Sequence, residues 1–493
     1  MRRKETLLAE TRAYEQALSA FIPESDRPLV HLTPMIGWMN DPNGFCHYNG
    51  EYHLFYQYYP YDTVWGPMHW GHAVSRDLVR WEYRPAALAP DTAADEGGCF
   101  SGSAVPLDDG RLMLVYTGVQ KENAEHPERQ AQCVAIGDGT DFVKCENNPV
   151  MPATLLPEGY SARDFRDPKA WRGADGRFYC VAGNRHETRQ GAAVLFESEN
   201  GLDWRFIGEL DASRGEVGRM WECPDFFALD GTHVLLVSPQ EMEGDAALGF
   251  HPGNNTAAVI GDYDETTHAF TRRALQPVDE GFEFYAPQTT LTPDGRRVMI
   301  AWMEDWETQA GKARTHKWFG RMTLPRELFM KEGRLCQRPV REIETLRSDS
   351  VSVQGALIDG DAAFRGVQGR AIDLTATLHI GNAACRRFEM RFAEDERHYT
   401  LVRCDLERGA VTFDRSMSGS RRNIPHTRTV KADCADGRLT LRLILDGDSA
   451  ELFVGSGEHT VSALIDTPLT AEGISFHADG AIHVDIEKHA LKK

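Results

Sequence analysis

The sequence predicts an all-β protein: a five-bladed β-propeller followed by a C-terminal β-sandwich, with a short N-terminal helix. Three observations carry that expectation. From His31 to about Val340, short apolar runs are split by Asn-Gly, Asp-Gly, Asp-Asp-Gly and Pro-Asp-Gly turns, the punctuation of short antiparallel strands. Within that stretch, five copies of one degenerate unit recur about every 55 to 65 residues, each marked by a glycine that opens a strand-like run: Gly50, Gly110, Gly176, Gly231 and Gly295. Repetition at such a period means sheets arrayed around an axis. After about Ile343 the texture changes to longer alternating strands.

Taken in order, residues 1–28 form a helical lead-in that ends at the Pro23 and Pro28 breakers. Residues 29–342 form the propeller. Behind each glycine-led strand comes a further pair, as in Ala193-Val194-Leu195-Phe196 followed by Asp203-Trp204-Arg205-Phe206, giving the four strands of a blade. Residues 343–493 form the sandwich, where Leu439 to Leu445 and Ala450 to Val454 alternate in polarity around an Asp446-Gly447 turn. No catalytic cluster is visible there; the expected role is packing, and any self-association is expected through this domain.

Bulk properties narrow the partners. The 493 residues carry a formal net charge of -20, which argues against nucleic acid and anionic membrane, since both need clustered Lys and Arg. No run approaches the ~18 apolar residues of a membrane span. The opening MRRKETLLAETRAYEQALSAF has no apolar signal core. Ten cysteines lack metal-ligand or framework spacing, so a reduced, cytoplasmic protein without metal is expected. His69 and His72, without a third ligand, read as structural.

The repeats also carry the chemistry. Asp41, Asp167 and Glu222 each lie nine residues before a repeat glycine, and Ser101 and Ala286 hold that offset in the other two units. Taken singly, Asp-Pro-Asn-Gly is a turn string, Arg166-Asp167 a surface pair and Glu222 a strand-end carboxylate. Together, equivalent positions of a radial array project to one central pocket, and paired carboxylates there are the equipment for cleaving a glycosidic bond.

These strings resemble glycoside hydrolase family 32, the β-fructofuranosidases and especially their bacterial sucrose and sucrose-6-phosphate hydrolases. The resemblance rests on WMNDPNG at 38–44, FYQ at 55–57, WGPMHWGHAVSRDLVRW at 65–81, CFSG at 99–102, FRDP at 165–168 and ECP at 222–224. It implies a five-bladed propeller with an appended sandwich. It assigns Asp41 as nucleophile, Glu222 as general acid/base and Asp167 as stabiliser of the fructosyl transition state. A retaining enzyme of this kind sets nucleophile and acid about 5–5.5 Å apart, with the acid's pKa raised so that it holds a proton near neutrality. Around them, Trp38, Asn40, Gln57, Trp65, Phe100, Ser101, Arg166, Tyr285 and Trp302 are the implied sugar-binding residues. The chemistry needs no cofactor, and the partner is a small sugar.

One segment departs from the resemblance. Lys312-Ala313-Arg314-Thr315-His316-Lys317 is a basic cluster in an acidic chain; it reads first as a solvated loop and second as a receptor for a substrate phosphate. An exo-acting fructosidase on short oligosaccharides, an inverting five-bladed glycosidase and a non-catalytic sugar-binding propeller are the alternative readings.

Overall fold

The computed structural model describes residues 4–122, 127–188, 190–312, 315–381, 383–432, 434 and 436–493. Five sheets follow the chain in order, and in each the first strand lies at one edge. These inner strands are Gly37–Tyr48, Gly98–Pro106, Arg166–Arg172, Met220–Leu229 and Tyr285–Leu291. The two-residue strand Trp318–Phe319 leaves the fifth blade and pairs in parallel with the first inner strand, Trp38 opposite Phe319. That exchange closes the ring and covers an edge that would otherwise stand unpaired. Apolar residues from adjoining blades pack between them, as where Val105, Met113 and Val115 of the second blade meet Phe165 and Val194 of the third.

Turn chemistry accounts for the hairpins. Asn49-Gly50 and Asp230-Gly231 are two-residue turns with positive φ at all four residues, the geometry for which Asn-Gly and Asp-Gly are selected. The other three blades turn through the longer loops 107–111, 173–177 and 292–296. All five inner strands also carry a β-bulge at the same height: around Asn40-Asp41, Ser101, Asp167-Pro168, Cys223-Pro224 and Ala286-Pro287. A bulge bends a strand and re-aims its side chains.

The helix Lys4–Ser19 lies on the outer side of the first blade, where the Glu15 carboxylate accepts the Ala86 N–H at 2.8 Å. The C-terminal domain is one continuous sheet folded into two layers. Its long strands Arg347–Ala362 and Gly473–Leu491 run through both layers, and the latter pairs with Ala371–His379 in one and Arg387–Glu394 in the other.

A belt of buried charge joins propeller to sandwich. His31, fully buried, sits between Asp446 (2.9 Å from Nδ1) and Glu451 (3.0 Å from Nε2). Arg326 reaches Glu451 at 2.6 Å and Asp279 at 2.9 Å, and Arg415 reaches Glu283 at 2.8 Å.

Candidate active site

The bulges bring the predicted carboxylates together at the propeller axis. Asp41 and Asp167 lie within their bulges, and Asp167 takes φ 62°, a left-handed conformation uncommon for a non-glycine residue and found where surrounding structure enforces it. Glu222 lies just before its own bulge, in the position that Arg166 and Tyr285 occupy on their strands; Cys223, with φ 47°, is the counterpart of Asp167. The shared offset of nine residues therefore holds in the second, third and fifth blades. It slips by one residue, in opposite directions, in the first and fourth, whose turns are shorter. All three carboxylates nevertheless share one cavity.

Contacts close that cluster. Ser101 Oγ donates to Asp41 Oδ2 at 2.6 Å, and the Cys223 thiol lies 3.6 Å from Oδ2 of both Asp41 and Asp167. The Cys223 backbone N–H donates to Asp167 Oδ2 at 3.0 Å. Arg166 spans the rest, with a guanidinium nitrogen 2.9 Å from Glu222 Oε1 and 3.9 Å from Asp167. Its closer partner is thus Glu222, not its sequence neighbour. Asp41 Oδ1 is buried and makes no hydrogen bond among the described residues.

Burial and then charge crowding set the electrostatics. Burial, then the Glu222 charge, pushes Asp41 up to about 6, against the pull of Ser101. Asp167 is also raised, by burial first; Arg166 opposes this while Glu222 and Asp41 add to it. A thiol, unlike a fourth acid, adds no charge: burial and the flanking carboxylates hold Cys223 far above the usual thiol range, so it remains an S–H donor.

The lining residues divide. Asn40 accepts the Trp38 indole N–H at 2.7 Å, and Gln57 donates to the Cys99 carbonyl at 2.9 Å. Trp65, 48% exposed, stands edge-on to Phe100 with ring centroids 5.9 Å apart, forming the rim. Trp38 is buried behind the site, stacked on Phe319 and Trp306. Trp302 is wholly buried and does not line the cavity; the half-buried Trp306, four residues on in a loop, stacks on Trp38 and lies tilted against Trp302. Tyr285 meets the cluster. Its ring is buried among Trp38, Met68 and Trp302, while its hydroxyl donates to Glu222 Oε2 at 2.6 Å. Gln240, which donates to the same oxygen at 2.8 Å, had no signal in the sequence.

Lys312, from the basic cluster, pairs with the buried Glu304 and lines a cleft between propeller and sandwich of about 1050 Å³. Arg314 lies outside the described residues, and Lys317 is exposed. His72 is buried, stacked on Phe55 and paired with His53 at 3.1 Å.

A five-bladed propeller with two aspartates, one glutamate and an arginine gathered at its axis defines a glycosidase. Comparison with known proteins gives the family. Residues 31–339 match the glycosyl hydrolases family 32 N-terminal domain, and residues 342–492 match the family 32 C-terminal domain. The chain is 36% identical over 464 residues to a raffinose invertase of Escherichia coli, covering 92% of each. It is 38% identical over 451 residues to a sucrose-6-phosphate hydrolase of Zymomonas mobilis, covering 87% of this chain and 84% of that one. A solved structure of a Bombyx mori β-fructofuranosidase superposes with a TM-score of 0.84 at 34% identity, over 99% of both chains. The chain belongs to glycoside hydrolase family 32 and is an enzyme of that class.

Proposed function

We propose that the protein hydrolyses terminal β-D-fructofuranosyl linkages with retention, acting on sucrose and sucrose 6-phosphate. Asp41 is the nucleophile, Glu222 the acid/base and Asp167 the stabiliser of the fructosyl transition state. The observation that carries this reading is the asymmetry of Asp41: Oδ2 is held by Ser101 and Cys223, while buried Oδ1 accepts no hydrogen bond among the described residues. An oxygen held in that way is available to attack an anomeric carbon.

The mechanism follows from the charges. Asp41, with its pKa at about 6, is mostly ionised at neutral pH. The Glu222 proton passes to the departing glycosidic oxygen as Oδ1 bonds to the fructosyl carbon. Water then attacks that carbon, giving its proton to Glu222 and returning Asp41 to a carboxylate. Positive charge developing on the ring in each step relieves the repulsion among the carboxylates, so the cluster binds the transition state better than the substrate.

The relatives named above support the substrate class, and ten cysteines without the spacing of a disulfide framework support the reducing cytoplasm as the location. We take 1–28, 29–342 and 343–493 as the working domains. Strand Arg347–Ala362, paired along one side only and exposing Leu357, is where a second copy would add.

NMR of the first fructose released from sucrose tests the mechanism: the β-anomer is expected. Asp41→Asn and Glu222→Gln are each expected to lower kcat by about 10³-fold or more, ~4 kcal/mol. Release of the α-anomer, or an active Asp41→Asn, would contradict it.

A further inference from the structure

Glu222 accepts three hydrogen bonds and one further ion-pair contact. Arg166 donates to Oε1 from Nε at 3.0 Å, and its Nη2 lies 2.9 Å from the same oxygen. Oε2 receives the Gln240 amide at 2.8 Å and the Tyr285 hydroxyl at 2.6 Å. A carboxylate can accept all three, but a carboxylic acid has an O–H of its own that must find an acceptor. A guanidinium only donates, so a proton on Oε1 would break the charge-assisted bond and the ion pair with Arg166. The acid's proton therefore belongs on Oε2, facing Tyr285 and Gln240.

The phenol is built to take it. Its oxygen also lies 3.2 Å from the Ser238 carbonyl oxygen, giving one O–H a choice of two acceptors. With Glu222 ionised, the O–H points at Oε2. With Glu222 protonated, the O–H turns to the Ser238 carbonyl and the phenol oxygen accepts from the acid. Neither arrangement moves a heavy atom. Ser238 is fixed for this purpose, since its Oγ accepts the Ala286 N–H at 3.0 Å and its strand pairs directly with Glu222. The surrounding charges are Arg166 and Asp167 from the third blade and Asp41 from the first, with the neutral Cys223 thiol beside them. Burial and the Glu222 charge hold the phenol far above its usual range, so it keeps its proton throughout.

We propose that Tyr285 is a reversible hydrogen-bond partner that positions Glu222 in both protonation states, donating to the carboxylate and accepting from the acid while the Ser238 carbonyl takes the phenol O–H. The inference rests on Glu222 being the acid/base. A retaining cycle needs Glu222 in both states, as acid when the leaving group departs and as base when water attacks. A positioning residue of this kind holds the acid until the linkage breaks, when its O–H turns from the phenol to the departing oxygen, and holds the carboxylate when water attacks.

In Tyr285→Phe, both half-reactions are expected to slow about tenfold, each ~1.4 kcal/mol. For formation of the fructosyl-enzyme the readout is kcat/KM on sucrose. For its hydrolysis the readout is kcat on p-nitrophenyl β-D-fructofuranoside, whose good leaving group makes the second step limiting. A phenol that only donates favours the carboxylate alone; its loss would slow hydrolysis and leave kcat/KM on sucrose unchanged or higher. That result overturns the proposal, as do unchanged rates in both steps. The enzyme with 3-fluorotyrosine at 285 retains both oxygen roles and is expected to keep both rates within about threefold. Rates falling there as far as in Tyr285→Phe would also overturn it. Glu222→Gln is assayed alongside: wild-type turnover in that variant would mean that the acid/base reading has failed instead.

Discussion

The funnel at the propeller axis and the belt between propeller and sandwich bury the same kinds of side chain to similar depth, yet their carboxylates shift in opposite directions. In the funnel, Asp41 and Asp167 are raised, and among the described residues Arg166 is the one cation in contact with the cluster. In the belt, Asp446, Glu451 and Glu283 are all lowered even though burial pushes the other way. His31, held between two carboxylates, rises to about 9 and is therefore an imidazolium. Burial alone does not fix the charge state of a carboxylate; the ratio of cations to anions does. The belt settles its charges within the protein and becomes a joint. The funnel leaves its charges unsettled, and a substrate developing positive charge settles them.

Breaking the belt is the sharper blow to stability. Arg326→Met takes the cation from Asp279 and leaves Glu451 with His31 alone inside the joint, and is expected to destabilise the protein by about 3–5 kcal/mol. Denaturant unfolding reads this directly. Turnover per folded molecule stays within about twofold, because no belt residue touches the funnel cluster. An inactive but fully stable Arg326→Met would dissolve the distinction between the two regions.

A smaller effect is expected at Lys312, which decides to which region the basic cluster belongs. Paired with Glu304 and facing the interdomain cleft, it belongs to the joint. Lys312→Ala should cost about 1–2 kcal/mol of stability and leave the ratio of kcat/KM for sucrose and its 6-phosphate within about twofold. A tenfold change in that ratio would move Lys312 to the substrate site.

The sequence made the propeller legible through its glycine turns, because a positive φ leaves a residue signature that survives divergence. The catalytic carboxylates were legible because their strings are distinctive, although the offset argument was only partly sound. Turn length and bulges change the count between glycine and pocket, and neither is written in the pattern: Glu222 aligns with Arg166 and Tyr285, not with Asp167. Aromatic placement was also hidden. Trp302 sits in a strand and is buried, while Trp306 lies on the loop beyond it. The belt was illegible, since His31 and Asp446 meet across more than 400 residues of chain and no local pattern announces such a pairing.

The central claim is that the funnel keeps its like charges together at a cost to folding. Asp41 ionises at about 6 in the folded protein, above its ordinary 3.8, so the folded state holds that proton more tightly than the unfolded chain. Stability is therefore lost as pH rises from about 4 through 6, and the loss is complete above that range. Asparagine at this position carries no such penalty. Unfolding of wild type and Asp41→Asn from pH 4 to 8 is the most direct test. The variant should be more stable by about 1–3 kcal/mol at pH 7, with the gain gone by pH 4. A variant that is less stable at pH 7, or a difference that does not change with pH, would contradict the account.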